Sequence, residues 1–190
     1  ADIRPQLRAA SATLCLSCHD KRIESPSGPV QDIKAWMAAN PNLHGPIAQQ
    51  DCVGCHRPHE SAHFRLLKQD YPAKFYSPFE PKNYGLCFTC HQPDLVRVER
   101  TASLTGFRHG DRNLHYVHVN RADKGRTCRA CHEAHSSTEP KHLRKTVPFG
   151  NWALPIKYES VPDGGKCSPG CHVPYDYARS AKAVSNAPGK

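Results

Sequence analysis

No stretch of the 190-residue chain approaches the roughly 18 consecutive apolar residues of a membrane-spanning helix. Residues 1–8 contain no apolar signal core, although removal of a signal peptide would leave such a start. No cysteine stands at position 1 to carry a lipid. Apolar residues are also scarce, at 38% against roughly 45–50% in ordinary soluble domains, while prolines number 17. A large conventional core is therefore not expected, and something else must organise the chain. The net charge of +9 invites a nucleic-acid reading, but the Lys and Arg residues are scattered singly. There is no run of five and no basic block studded with aromatics, which excludes that class.

What the chain has in excess is cysteine and histidine, ten and thirteen respectively. All ten cysteines fall into five short pairs, and a histidine follows each pair at once. The first four read Cys15-Leu-Ser-Cys18-His19, Cys52-Val-Gly-Cys55-His56, Cys87-Phe-Thr-Cys90-His91 and Cys128-Arg-Ala-Cys131-His132. The fifth, Cys167-Ser-Pro-Gly-Cys171-His172, has three intervening residues. Disulfide bonding gives no reason for the histidines. Zinc takes two Cys-x-x-Cys pairs per tetrahedral ion, so five pairs leave one over. The run C-x-x-C-H is the attachment signature of c-type haem, in which two thiols form thioethers and the histidine reaches the iron. Five such runs predict five covalent haems. At the fifth, Pro169-Gly170 forms a turn that loops out the additional residue; the competing reading there is a disulfide between Cys167 and Cys171.

Five haems use His19, His56, His91, His132 and His172 as proximal ligands, leaving eight histidines. The one methionine, Met37, sits in an expected helix from Asp32 to Ala39 that Asn40-Pro41 stops, and it reads as packing. Bis-histidine iron is therefore expected throughout. His59 and His135 each follow a proximal histidine by three residues, and three residues cannot carry a backbone around the edge of a flat macrocycle. Each should serve a neighbouring haem, tethering haems closely. The same reasoning assigns His115 and His118 to two irons. His44 stands eight residues before Cys52, much as His118 stands ten before Cys128. The expected distal set is His44, His59, His115, His118 and His135, while His63, His109 and His142 read as surface or propionate-contacting residues.

The haem cysteines begin at 15, 52, 87, 128 and 167, a repeat of roughly 38 residues that points to an array. Within it, Leu43-His44 to Ser61 parallels Leu114-His115 to Ser137. The expected plan is a segment 1–40 with the first haem, a two-haem module over 41–108, and a second over 109–190 with the C-terminal tail, in one compact unit. The fold class expected is mainly loop, with short α-helices wrapped around a closely spaced haem array and little or no β-sheet. Short helices are expected near 5–18, 32–39, 59–68, 93–104 and 175–183. Proline-rich runs such as Ser77-Pro78-Phe79-Glu80-Pro81 and Val147-Pro148-Phe149-Gly150 break regular structure. Phe75, Tyr76, Tyr84, Trp152 and Tyr158 are expected to pack on haem edges.

The paired motifs, the His-x-Pro-His and His-x-Ala-His runs, Leu-His-Tyr-Val-His and Cys-Ser-Pro-Gly-Cys-His resemble the doubled-CxxCH multihaem cytochromes over about residues 40–178. That resemblance implies electron transfer in bacteria or archaea that respire external acceptors, with the ligand set given above. It also supports the fifth haem. No Cys-x-x-Cys-Lys motif occurs, so a five-haem nitrite-reductase type of enzyme is not expected. The reading is an electron conduit, as the repeating subunit of an extracellular cytochrome filament; the alternatives are a soluble periplasmic shuttle or a subunit of a respiratory complex. Redox proteins or extracellular acceptors are the expected partners, besides copies of the chain itself. The polar tail Ser185-Asn-Ala-Pro-Gly-Lys190 has a fraying composition and is expected to be pinned against a neighbouring copy. Haem attachment outside the cytoplasmic membrane makes the protein periplasmic or extracellular. The propionates of five haems would offset the +9 of the polypeptide.

Overall fold

The computed structural model describes residues 11–26 and 28–182. The tail from Ser185, with its expected pinning, and the first part of the helix expected over 5–18 lie outside them. The helices are short: α1 (Ser11–Leu16), α2 (Ile33–Ala39), α3 (Gly45–Ala48), α4 (Gly85–Phe88), α5 (Asp94–Arg97), α6 (Leu114–Val119) and α7 (Cys128–Cys131). The strands are β1 (Asn42–Leu43), β2 (Arg108–His109), β3 (Arg112–Asn113), β4 (Ser136–Ser137), β5 (Thr146–Phe149), β6 (Trp152–Pro155), β7 (Tyr158–Val161), β8 (Gly164–Cys167) and β9 (Tyr175–Ala178).

Most of the chain is loop, but the expected near-absence of β-sheet is overturned. Among the described residues the strands form four small antiparallel sheets, β1-β4, β2-β3, β5-β6 and β7-β8-β9. The physical reason lies in two tight turns. Gly150-Asn151 joins β5 to β6, with Gly150 at φ 57 and Phe149 opposite Trp152. Pro162-Asp163 joins β7 to β8, with Val161 opposite Gly164. Strand β9 then lies so close to Gly164 that a Cβ there would meet the Tyr177 carbonyl oxygen at 1.8 Å. Only glycine allows that third strand.

Two expected helices are absent as such. Over 59–68 there is only a 3₁₀ turn at Phe64–Leu66, with Arg65 and Leu66 in the left-handed region, where a helix cannot continue. Residues 175–183 begin with β9 in place of a helix. The helix expected over 93–104 is confined to α5. Helix α2 forms where the sequence places it: Asp32 accepts a hydrogen bond from the Ala35 amide and Asn40 closes the other end.

The described chain divides into two compact units. One comprises the residues up to Tyr71 together with His132–Leu143. In it β1 pairs with β4, and the Asn42 side chain donates to the carbonyls of Thr138 and Glu139. The Trp36 indole N–H donates to the Ser136 carbonyl at 3.2 Å. The other unit comprises Pro72–Cys131 and the residues from Arg144. Its apolar cluster is small, with Tyr84, Val96 and Val119 buried and Phe79, Phe88, Leu95 and Cys128 packed around them. Asn113, wholly buried, ties α5 to α6. Its Oδ1 accepts from the amides of His115 and Tyr116, while its Nδ2 donates to the carbonyls of Leu95 (2.9 Å) and Val98 (2.8 Å).

Candidate haem-binding sites

The first four cysteine pairs share one local geometry, a single helical turn. His19, His56 and His91 each donate their amide to the carbonyl of the first cysteine of the motif, at 3.0, 3.1 and 2.9 Å. The fourth pair is α7 itself. A helical turn suits the i, i+3 spacing because it brings both thiols to one side of the chain. The fifth pair is built differently. Cys167 ends β8, and the following loop is held by Ser168 and Gly170 amides donating to the carbonyls of Lys157 and Pro155. No disulfide joins any of the ten cysteines.

The structure also groups the motifs. Cys15 lies within hydrogen-bond reach of Cys52, and burial together with that neighbour pushes the Cys52 thiol up. In the other unit Cys87 and Cys128 share a hydrogen bond, which with burial holds Cys128 strongly protonated. Burial likewise pushes Cys131 up to about 11, with Cys171 and Cys167 adding to it. Motifs one and two therefore neighbour each other, as do motifs three, four and five. Cys18 and Cys90 are exposed, and Cys55 is half-buried.

The two sequence copies extend into structure with an offset of 76 residues. His56 donates its Nδ1–H to the Arg65 carbonyl at 3.1 Å, and His132 to the Lys141 carbonyl at 2.9 Å. The amide of Arg57 bonds the Leu66 carbonyl, and that of Glu133 bonds the His142 carbonyl. Ser61 and Ser137 hydroxyls each donate at 2.5 Å, to the carbonyls of Leu67 and Leu143. Arg65-Leu66 and Lys141-His142 are both left-handed.

A carbonyl oxygen only accepts, so each of these bonds fixes a proton on Nδ1 and leaves the Nε2 lone pair available. Iron-ligating histidines need that arrangement. His118 and His172 have it too, donating to the carbonyls of Leu114 (2.7 Å) and Val173 (2.6 Å). The chain's own residues thus fit covalent haem: paired thiols on single turns, each followed by an imidazole, several of those imidazoles with the second nitrogen already engaged. Among the described residues no three His, Cys, Asp or Glu side chains converge as a ready-made metal cage.

The histidines gather in pairs. In the first unit the rings of His56 and His135 are parallel within 8°, with centres 6.1 Å apart. His44 and His142 lie edge to face at 5.4 Å. Burial lowers the His135 imidazole to about 4, and His56, His44 and His19 push in the same direction. Burial lowers His56 as well. The Nδ1 atoms of His19 and His142 are buried without a hydrogen-bond partner. In the second unit His118 and His172 have ring centres 6.4 Å apart, and burial again lowers His118. His115 meets Thr105 Oγ1 at 3.2 Å and the Phe107 ring at 5.1 Å.

Of the distal set from sequence, His44, His118 and His135 thus lie beside other histidines, whereas His59 is exposed, as are the motif residues His91 and His172. His63 bonds Asp70 at 3.1 Å. His109 accepts from the Ala178 amide. Sequence reasoning missed the half-buried placement of His142 beside His44. The available signal was its place in the repeat, where the first copy has Leu66.

Thiol pairs, adjacent imidazoles and the doubled local geometry define a protein that binds c-type haem covalently at several sites. The family model for the doubled CXXCH motif matches residues 44–95 and 118–149, somewhat less than half of the chain. Those segments hold the motifs beginning at Cys52, Cys87 and Cys128, and the match indicates a multihaem c-type cytochrome of electron transfer. No curated protein and no solved structure gave a match.

Proposed function

We propose that the chain conducts electrons through five covalently attached bis-histidine haems and serves as the repeating subunit of an extracellular cytochrome filament. The observation that carries the haem count is that every cysteine pair, five of five, is followed by histidine. The thiols of Cys15, Cys18, Cys52, Cys55, Cys87, Cys90, Cys128, Cys131, Cys167 and Cys171 would hold the haems. His19, His56, His91, His132 and His172 would ligate from one face, and His44, His59, His115, His118 and His135 from the other. Bound there, haem supplies one-electron redox chemistry at low potential, because bis-histidine ligation and partial exposure favour the ferric state.

The polypeptide's part is to fix the imidazoles, to bury several of them, and to hold motifs one and two side by side in one unit and motifs three, four and five in the other. Two histidines for each of five irons would leave no position open to substrate, which supports a conduit over an enzyme. Attachment of haem outside the cytoplasmic membrane makes it periplasmic or extracellular. No helix among the described residues is long and apolar enough to cross a membrane. The polymer reading is supported by apolar side chains left at the surface, Trp152 (69% exposed), Val173 (80%) and Phe149 (49%).

Electron microscopy and an optical redox titration of the purified holoprotein test this reading. Long filaments and a multi-step low-potential titration are expected. Monodisperse single-chain particles would replace the filament with the soluble shuttle. A high-spin ferric band, or rapid binding of carbon monoxide or nitrite to the protein as isolated, would overturn the conduit.

A further inference from the structure

Resting on the haem reading above, we propose that His135 and His56 together hold one iron, that of the haem on Cys52 and Cys55, and that His118 and His172 together hold the iron of the haem on Cys167 and Cys171. A metal–imidazole bond is about 2 Å long and the ring centre lies roughly 1.1 Å beyond the nitrogen, so two rings on one ion are centred about 6 Å apart. The His56–His135 and His118–His172 separations, 6.1 and 6.4 Å, match that span. Each pair joins one motif histidine to one histidine outside any motif of its own haem. The third close pair, His44 and His142, is shorter and perpendicular and contains no motif histidine, so it is not an axial pair.

The chain fixes each partner independently of any bound group. His135 is delivered by long-range backbone pairing: its carbonyl accepts from the His44 amide at 2.9 Å, and the next two residues form β4 against β1. Trp36 holds the same strand from the other side of the sequence. His118 sits in α6, which Asn113 caps and anchors. Hydrogen bonds from Nδ1 to carbonyls engage the second nitrogen of His56, His118 and His172. The two copies place this histidine differently. His135 reaches back to a haem attached about 80 residues earlier, while its counterpart His59 is exposed.

The test removes a ligand and its supposed haem in combination, in the full-length holoprotein. His135→Ala is expected to leave haem content unchanged by pyridine haemochrome and to convert one haem in five to high spin by electron paramagnetic resonance. In a Cys52→Ala/Cys55→Ala background, which carries one haem fewer, His135→Ala is expected to add no high-spin signal. His118→Ala should behave in the same way against Cys167→Ala/Cys171→Ala. Should an alanine variant not mature, His135→Met keeps a sixth ligand and raises one potential in a redox titration; that shift is expected to vanish in the background lacking Cys52 and Cys55. A high-spin signal or potential shift that persists in the haem-deleted background overturns the pairing, as does a low-spin His135→Ala protein with its full haem content. Absence of covalent low-spin haem from the unsubstituted protein would instead overturn the haem reading itself.

Discussion

Replacing Asn113 by alanine removes four hydrogen bonds from one wholly buried side chain. Two of them cap α6, and loss of an N-cap costs about 1 kcal/mol. The other two satisfy the carbonyls of Leu95 and Val98, and stranding a buried acceptor costs about 1–3 kcal/mol each. Partial relaxation and water entry keep the sum to about 3–5 kcal/mol. For a chain of this length each kcal/mol moves the midpoint by roughly 2–4 °C, so a fall of about 10 °C is expected. The assay is thermal unfolding of the holoprotein followed by circular dichroism. Asn113→Asp is the informative companion, since it keeps the capping acceptor but points a second oxygen at two carbonyls. It should be no more stable than the alanine variant. A fall under about 2 °C for Asn113→Ala, or an aspartate variant as stable as the parent, would refute the role assigned to this residue.

Tyr84 is wholly buried and its hydroxyl has no hydrogen-bond partner. Burial pushes the phenol up to about 12. Its folded value lies above the unfolded value of about 10, so the parent should lose stability as pH rises from about 10 through 12. Tyr84→Phe should flatten that loss and be at least as stable at pH 7, measured by denaturant titration at pH 7 and pH 11. Equal slopes in the two proteins would contradict this. His142→Leu installs the residue that the first sequence copy has at this position. Haem content and the low-spin absorption spectrum should be unchanged, and a new high-spin band would make His142 a ligand.

The chemistry of this chain was legible because covalent attachment needs adjacent residues: thiols and proximal imidazole fall within one helical turn. The helix α2 was legible for the same local reason, an aspartate cap and an Asn-Pro stop. The hairpins were not read, although Gly150-Asn151 is a recognised turn dipeptide. Prolines at 148 and 155 within the strands drew the reading towards loop, and both strands tolerate them in a two-stranded sheet with free edges. Short α-helices were over-extended because periodicity across 59–68 could not reveal the left-handed pair Arg65-Leu66. The partner of His135 was not legible at all. It depends on β1 meeting β4 across more than 90 residues, and a two-residue strand carries no pattern to announce it.

The central claim, five covalent haems on one chain, is tested most directly by the intact mass of the mature protein together with its pyridine haemochrome. The account expects the 21.1 kDa polypeptide plus five haems. A mass of four haems would mean that Cys167 and Cys171 carry none, and a polypeptide mass reduced only by disulfide formation would contradict the account altogether.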